Sequence, residues 1–308
     1  MNAPQLTAAL FLALCAAASR AEPPITALAF APNENILVVG SQQGLALRAW
    51  PSLELAGALP TELANVHDVA FSPDGAMLAV AGGAPSECGE LELLDWSTRL
   101  RIGRAVLGED VLYSARWRPD GGGLLVAGGN GYAAIINADT LSPRCELSGH
   151  TRAVLSAAWL SQDTALTAGV DNTILLWNTV TGATQRSLNQ HTDAVQAIIV
   201  RPPSDGKQSL VATIGADRTV RFWQPNIGRM VRLARLDSRP TAAVWSANGE
   251  VIHIACWDGR VRSVRAGDAE LLREAKAIDG VAYAIAMAPD GAVIVGGRAG
   301  QLTRLQVP

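Results

Sequence analysis

Residues 149–178 have the sequence GHTRAVLSAAWLSQDTALTAGVDNTILLWN, and residues 190–224 repeat its pattern as QHTDAVQAIIVRPPSDGKQSLVATIGADRTVRFWQ. Each copy has a histidine before a first apolar run, a threonine in a second run, an aspartate in the next turn and a tryptophan in a third run. These residues are His150, Thr167, Asp171 and Trp177 in the first copy, and His191, Thr213, Asp217 and Trp223 in the second. A unit that occurs twice in succession indicates a repeat architecture.

The repeat extends in both directions, because a large residue ends the first apolar run of a unit every 41 to 46 residues: Phe30, Phe71, Trp117, Trp159, Val200, Trp245 and Met287. Turn sequences such as Pro73-Asp74-Gly75 and short apolar runs follow, which is typical of β-hairpins. Seven units of short strands predict an all-β fold, a seven-bladed β-propeller in a single domain. The predicted units span residues 25–61, 62–107, 108–149, 150–190, 191–235, 236–277 and 278–308.

The two complete copies resemble the WD40 repeat, and the resemblance extends over nearly the whole chain. In that family the histidine, threonine, aspartate and tryptophan form a hydrogen-bonded tetrad, so the resemblance implies a structural role for the eight residues named above. The physical reason is that a buried indole N–H, hydroxyl and imidazole each need a hydrogen-bond partner.

The other five units depart from the tetrad. We predict that Trp50 keeps the tryptophan of unit one and that Asp258 and Asn130 keep the turn residue of units six and three. The tryptophan position of the remaining units is held by aliphatic residues: Leu94, Ile136, Val264 and Leu305.

Unit seven has room for only three predicted strands before Pro308, and Pro23 and Pro24 precede the first strand of unit one. Proline lacks the N–H that a strand ladder needs. We therefore expect a three-stranded last blade with an exposed edge that accepts a strand from a partner protein.

Residues 1–21 have the features of a signal peptide. Leu6 to Ala18 form an uncharged apolar run too short to cross a membrane as a helix, and a small-residue cleavage site follows at Ala21. We therefore expect the protein to be exported, either periplasmic or secreted, with no transmembrane segment. Cys15 follows Leu14, where a lipidation box has a small residue, which disfavours a lipid anchor at Cys15. The use of arginine over lysine suggests a bacterial genome of high GC content.

Charge and motifs exclude several classes of function. The chain has 25 basic and 28 acidic residues without a basic stripe, which makes nucleic acid a poor partner. It lacks Cys-x-x-Cys, Gly-x-Ser-x-Gly and His-Glu-x-x-His motifs, so we predict no metal, no cofactor and no enzymatic activity. His67 and Asp68 in the loop before unit two are compatible with a general base pair, but we favour a solvated loop pair. His253 is predicted to be a core residue of a strand.

Four residues are predicted to bind a partner. Gln43, Trp257 and Arg298 lie at the turns between second and third strands of units one, six and seven, which are neighbours in a closed ring. Glu87 lies in a longer loop of unit two, residues 82–89. Because tryptophan and arginine are enriched at binding hot spots, we expect a protein–protein interaction scaffold.

Two other functions remain open. The central channel of a propeller can bind a small ligand or catalyse a reaction, which requires several ionisable groups converging there. The second open function is that of a redox accessory to c-type cytochrome proteins. The Gly-Gly-x-Pro and Gly-Glu sequence around residues 82–90 resembles exported WD40 modules that accompany c-type cytochrome domains. This second alternative requires a haem-bearing partner.

Overall fold

The structure is a computed structural model that describes residues 22–203 and 209–308. The predicted signal peptide and Cys15 therefore lie outside the described residues. The described chain forms seven antiparallel sheets, and in each sheet the strands are hydrogen-bonded in chain order.

Blade 1 consists of β1 (Ile25–Phe30), β2 (Ile36–Ser41), β3 (Gly44–Ala49) and β4 (Leu55–Leu59). Blade 2 consists of β5 (Val66–Phe71), β6 (Met77–Ala84), β7 (Cys88–Asp95) and β8 (Leu100–Val106). Blade 3 consists of β9 (Leu112–Trp117), β10 (Gly123–Gly128), β11 (Ala133–Asn137) and β12 (Pro143–Glu146). Blade 4 consists of β13 (Val154–Trp159), β14 (Thr164–Gly169), β15 (Ile174–Asn178) and β16 (Thr184–Leu188).

Blade 5 consists of β17 (Val195–Val200), β18 (Val211–Gly215), β19 (Thr219–Gln224) and β20 (Arg229–Arg235). Blade 6 consists of β21 (Pro240–Trp245), β22 (Val251–Cys256), β23 (Arg260–Arg265) and β24 (Leu271–Lys276). Blade 7 consists of β25 (Ala282–Met287), β26 (Val293–Gly297) and β27 (Leu302–Leu305). Single 3-10 turns occur at Gly129–Gly131, Pro225–Ile227 and Arg298–Gly300.

The prediction of a seven-bladed all-β propeller is confirmed, and so is the three-stranded last blade. All seven first strands end at the large residue that the spacing identified. The ring closes through contact between the inner strands β25 and β1, where Ile25 and Leu37 pack with Ala284 and Ile294. Closure at this junction therefore depends on side-chain packing between blades.

Three of the tryptophans that end first strands also join neighbouring blades. The indole N–H of Trp117 donates to the carbonyl of Ala70 at 2.9 Å, and Trp159 donates to the carbonyl of Arg116 at 2.8 Å. Trp245 donates to the carbonyl of Ile199 at 3.0 Å. Each bond satisfies a buried indole and a backbone group of the preceding blade at once.

The expectation for Trp50 in blade 1 is wrong, and that for Asn130 in blade 3 holds for its position but not for its backbone conformation. Strand register pairs Arg48 with Leu37, so Arg48 holds the tryptophan position of blade 1, and Trp50 lies beyond the end of β3. Trp50 instead packs edge-on against Phe30, with ring centroids 5.2 Å apart. Asn130 lies at the loop position of Asp171, because Ala127 pairs with Ala133 as Ala168 pairs with Ile174, but its φ of 55° is the left-handed conformation that Asn172 adopts in blade 4.

The predicted long loop of blade 2 is also wrong in part. Residues 82–84 and 88–89 extend the strands β6 and β7, and only the tip between them is a turn. Gly82 makes this possible, because a Cβ there would lie 1.8 Å from the carbonyl oxygen of Asn65. Blade 2 therefore has a taller central hairpin, with Glu87 at its exposed tip.

Candidate functional site

The tetrad of blade 4 is a continuous chain of hydrogen bonds. The Trp177 indole N–H donates to the Thr167 hydroxyl at 2.7 Å, and that hydroxyl lies 2.8 Å from Nε2 of His150. Nδ1 of His150 lies 2.8 Å from Asp171 Oδ2. Because the Thr167 oxygen accepts from the indole, its own proton is free for Nε2, and Nδ1–H then donates to the carboxylate. This order of donors needs a neutral imidazole.

Blade 5 repeats the same chain with Trp223, Thr213, His191 and Asp217 at distances of 2.9, 2.8 and 2.9 Å. Burial lowers the pKa of His191, although Asp217 opposes this shift. Burial also acts to raise the pKa of Asp217, but hydrogen bonds led by that from Thr219 lower it overall. Both directions favour a neutral histidine facing an ionised carboxylate.

The tetrads tie three parts of a blade together. Asp171 also accepts the backbone N–H of Thr151 at 3.0 Å and that of Thr173 at 3.1 Å, which belong to the loop before the blade and to its central turn. All polar groups of the relay are thereby used within the blade, so the tetrads hold loops in place and leave no group for chemistry.

His253 is fully buried, as expected for a core histidine. Its Nδ1 lies 2.8 Å from the Ser263 hydroxyl, and burial lowers its pKa to about 4. It therefore stays neutral at physiological pH and presents no ligand at the surface.

The four residues predicted to bind a partner lie on one face of the propeller. Gln43, Glu87, Trp257 and Arg298 all belong to turns between a second and a third strand, and all four are exposed. The first strand of each blade begins at the same face, since Ile25 pairs with the end of β2. We call this side the entry face.

Trp257 lies in a turn that is held by hydrogen bonds to neighbouring residues. Its side chain is 52% exposed, while its backbone N–H donates to Arg239 at 2.9 Å and the Arg239 guanidinium lies 5.8 Å from the ring centroid. The next residue, Asp258, accepts two hydrogen bonds from the buried Arg262 at 3.1 and 2.8 Å. The exposed ring is therefore held in place by groups beneath and beside it.

Arg298 and Gln43 lie on blades 7 and 1, the two blades that meet where the ring closes. Arg298 packs its side chain over Gly280, and Gly300 in the same turn shares a small depression with Gln43. Glu87 lies apart from them on blade 2. Among the described residues, no hydrogen bond or ring contact joins any two of these four predicted binding residues.

The central channel has a regular feature that the sequence did not reveal. Each of the seven inner strands has a β-bulge at its second residue. Its first and third residues pair with two adjacent residues of the next strand, so the second residue has no pairing partner. A bulge leaves one residue unpaired and redirects its side chain. These residues form what we call the bulge ring at the entry-face mouth of a cavity of about 560 Å³: Thr26, His67, Tyr113, Leu155, Gln196, Thr241 and Tyr283.

The expected position of His67 and Asp68 in a loop is wrong, because both lie on β5 and line this cavity. The His67 ring contacts that of Tyr113, with centroids 5.3 Å apart. Burial lowers the pKa of His67, although the Asp68 charge opposes the shift, and burial also raises the pKa of Tyr113. Asp68 forms an ion pair with Arg116 of the next blade. Ionisable groups thus converge on the channel.

Within residues 22–203 and 209–308, no group of three or more histidine, cysteine, aspartate or glutamate side chains is arranged to hold a metal ion. The same residues contain no helix long and apolar enough to cross a membrane. The cysteines Cys88, Cys145 and Cys256 are free thiols.

The fold and its two tetrads define a repeat propeller with a shared entry face. The WD domain, G-beta repeat family matches residues 141–178 and 182–224, the two segments that contain the tetrads. The described chain is thus a seven-bladed β-propeller in which blades 4 and 5 match the WD40 repeat.

Known relatives show similarity over different parts of the chain. Telomerase protein component 1 of Mus musculus is 26% identical over 94% of this chain but over only 11% of its own length. WD repeat-containing protein slp1 of Schizosaccharomyces pombe is 24% identical over 71% of this chain and 44% of its own length. THO complex subunit 3 of Arabidopsis thaliana is 31% identical over 36% of this chain and 35% of its own length. The chain thus spans less than half the length of each of these proteins.

Proposed function

We propose that this propeller is a non-enzymatic platform that binds a partner protein on its entry face, centred on Trp257. The observation that carries the proposal is the half-exposed Trp257 ring on a turn fixed by Arg262 and flanked by Arg239. Of the large apolar side chains exposed in the described chain, Trp257 is the one aromatic. A fixed aromatic side chain contributes large contact area and loses little conformational entropy on binding.

Arg298 extends the proposed surface towards blade 1. It is exposed, and no hydrogen bond or ion pair within the described residues engages its guanidinium. An unengaged guanidinium is suited to a carboxylate or a backbone carbonyl of a partner. Gln43 and Glu87 lie on the same face in blades 1 and 2, and as polar residues at the rim of the surface they are expected to give smaller contributions.

The relatives support a binding role by the assemblies that their names state. One is named as a component of telomerase and another as a subunit of the THO complex. These names apply to those proteins. For this chain they favour membership of an assembly over catalysis, without identifying the assembly.

The test is affinity capture from the exported fraction of the source cell, with quantitative mass spectrometry. The protein is compared with the double variant Trp257→Ala, Arg298→Ala and with the control variant Ile227→Ala, Arg144→Ala, whose residues are exposed outside the entry face. We expect a defined partner that the entry-face variant loses at least tenfold, on the order of 1.4 kcal/mol, and that the control retains. Equal capture by both variants would place the interface elsewhere.

We also propose that the protein is exported, on the basis of the apolar run and cleavage site in residues 1–21. A fusion of residues 1–30 to a reporter that is active only outside the cytoplasm tests this. Reporter activity that is lost when charged residues interrupt the run, as in Leu10→Arg with Leu14→Arg, is the expected result. Activity unchanged by these substitutions contradicts export by a signal peptide.

A further inference from the structure

The mouth of the central channel holds hydrogen-bonding groups without protein partners. In the bulge ring, Thr26 and Thr241 donate to backbone carbonyls of the next blade. The other polar members of the ring have no hydrogen bond to another side chain or backbone group of the described residues: His67, Tyr113, Gln196 and Tyr283. The threonines thus join blades, whereas an imidazole, an amide and two phenols face the cavity.

Below the ring, the ion pair of Asp68 and Arg116 is asymmetric. Asp68 Oδ1 accepts the backbone N–H of Val69 at 3.0 Å, and Oδ2 accepts that of Ala115 at 3.0 Å as well as Arg116. Both carboxylate oxygens are therefore occupied by the protein. Arg116 uses only Nη1, which also donates to the carbonyl of Ala115 at 3.0 Å.

Arg116 lines the cavity, and one edge of its guanidinium has no protein partner among the described residues. Its Nε and Nη2 have no partner among the described residues, and its side chain is 43% exposed. Asp68 directly follows the bulge residue His67, so the guanidinium lies just inside the ring. A second unpartnered group lies at this depth, since Ser114 lines the cavity and its buried hydroxyl lacks a hydrogen bond.

We propose that the channel mouth is a binding site for a small organic carboxylate, held by the free edge of Arg116 and the polar residues of the bulge ring. The Nε and Nη2 donors of arginine are parallel and match the two oxygens of a carboxylate. The Tyr113 and Tyr283 phenols, the Gln196 amide and the His67 imidazole then bind the polar part of the same ligand. The cavity volume of about 560 Å³ falls within the usual size range of small-molecule sites.

The charge of the site limits the ligand. Asp68 offsets the charge of the Arg116 guanidinium, so the pair is neutral overall, and no other lysine or arginine lines the described cavity. A compound with a single carboxylate therefore suits the site better than a polyphosphate. This site is separate from Trp257 and does not depend on the proposed protein-binding surface.

The test is isothermal titration calorimetry at pH 7 with benzoate and acetate as single-carboxylate probes and benzyl alcohol as the uncharged analogue of benzoate. We expect benzoate to bind with a Kd of about 1 mM or tighter, which is about −4 kcal/mol, and benzyl alcohol not to bind measurably. Arg116→Gln is expected to weaken benzoate binding at least tenfold, and Tyr283→Phe by a smaller factor. Arg144→Gln, on the outer strand of blade 3, is the matched control.

Thermal unfolding of each variant shows whether it is folded, and Tyr283→Phe provides a second test because Tyr283 makes no hydrogen bond that the fold needs. Trp257→Ala should bind benzoate as the unaltered protein does, which separates this site from the entry-face interface. Absence of benzoate and acetate binding to the folded protein overturns the proposal. Benzoate binding that is unaffected by Arg116→Gln overturns it equally.

Discussion

Blade 4 buries its polar side chains as a relay without a cationic group, and blade 5 adds an ion pair of Asp217 and Arg221 to the same relay, whereas blade 2 buries an ion network of glutamates and arginines. In blade 4 one carboxylate, Asp171, ends a chain of uncharged donors. In blade 2 the carboxylate of Glu92 is fully buried and bonds to Arg101, to the Thr61 hydroxyl and to the backbone N–H of Glu62. The relay depends on four residue types in fixed order, and the network depends on balanced charge.

This difference explains why the relay is recognisable in a sequence and the ion network is not. Each member of the relay supplies a distinct donor or acceptor, so substitution of any one breaks the order of protons. An ion network tolerates many arrangements, as Arg101 and Arg104 show by sharing Glu62 while each also binds a different buried glutamate. Its residues therefore have no diagnostic spacing.

The largest expected effect is the loss of a relay tryptophan. Trp177→Ala removes a fully buried indole and leaves the Thr167 hydroxyl without its donor, so we expect the free energy of unfolding to fall by about 3–5 kcal/mol. Urea unfolding followed by circular dichroism measures the change.

The control for this prediction is Trp257→Ala, which removes an exposed ring and should change stability by about 0.5 kcal/mol or less. A loss below about 1 kcal/mol for Trp177→Ala would show that the relay does not hold blade 4 together.

A smaller loss is expected in the ion network of blade 2. Arg101→Met removes one partner of the buried Glu92 carboxylate, and because Arg101 is itself partly exposed and screened by solvent, we expect a loss of stability well below that of Trp177→Ala. Adding Glu92→Leu to this variant removes the stranded charge and should restore part of the stability. If the double variant is less stable than Arg101→Met, the remaining interactions of the Glu92 carboxylate contribute more stability than its desolvation costs.

The seven-bladed fold was predictable because spacing and turn chemistry recur even where the tetrad is absent. Phe71 and Met287 end their first strands as Trp159 does. Register was harder to predict: in blade 1, Trp50 lies two residues beyond the position that Arg48 occupies. Residues two positions apart point to the same side of a strand. The alternation of side chains alone therefore does not show whether Arg48 or Trp50 holds the tryptophan position.

The residues that line the channel were not predicted, because a β-bulge breaks the alternation on which strand assignment depends. His67 and Asp68 are consecutive polar residues at the start of β5, a pattern typical of a loop. One signal was present in the sequence: the second residue of every inner strand is polar or aromatic except Leu155. The entry-face residues could be located without knowledge of the strand register, since Gln43, Trp257 and Arg298 lie in turns that the repeat spacing locates.

The smallest expected effect is a difference between the relay and the ion network in how the free energy of unfolding depends on pH. Burial keeps the pKa of His191 below its ordinary value of 6.5, so between that value and the folded-state pKa the unfolded chain binds a proton that the folded chain does not. Stability must therefore fall as the pH drops below about 6.5, by about 1 kcal/mol per pH unit for this one group. Asp217 adds nothing in this window, because its pKa is lowered from 3.8 and it stays ionised.

The measurement is urea unfolding at pH 7 and pH 5.5 for the protein, for His191→Gln and for Arg101→Met. His191→Gln should lose less stability than the unaltered protein on acidification, because its unfolded state no longer gains that proton. Arg101→Met should follow the unaltered protein, because the ordinary pKa of Glu62, 4.5, lies below the window even when the Arg101 hydrogen bond that lowers it is removed. If His191→Gln and the unaltered protein lose stability equally, the relay histidine is protonated in the folded state. The order of donors derived for blade 5 is then wrong.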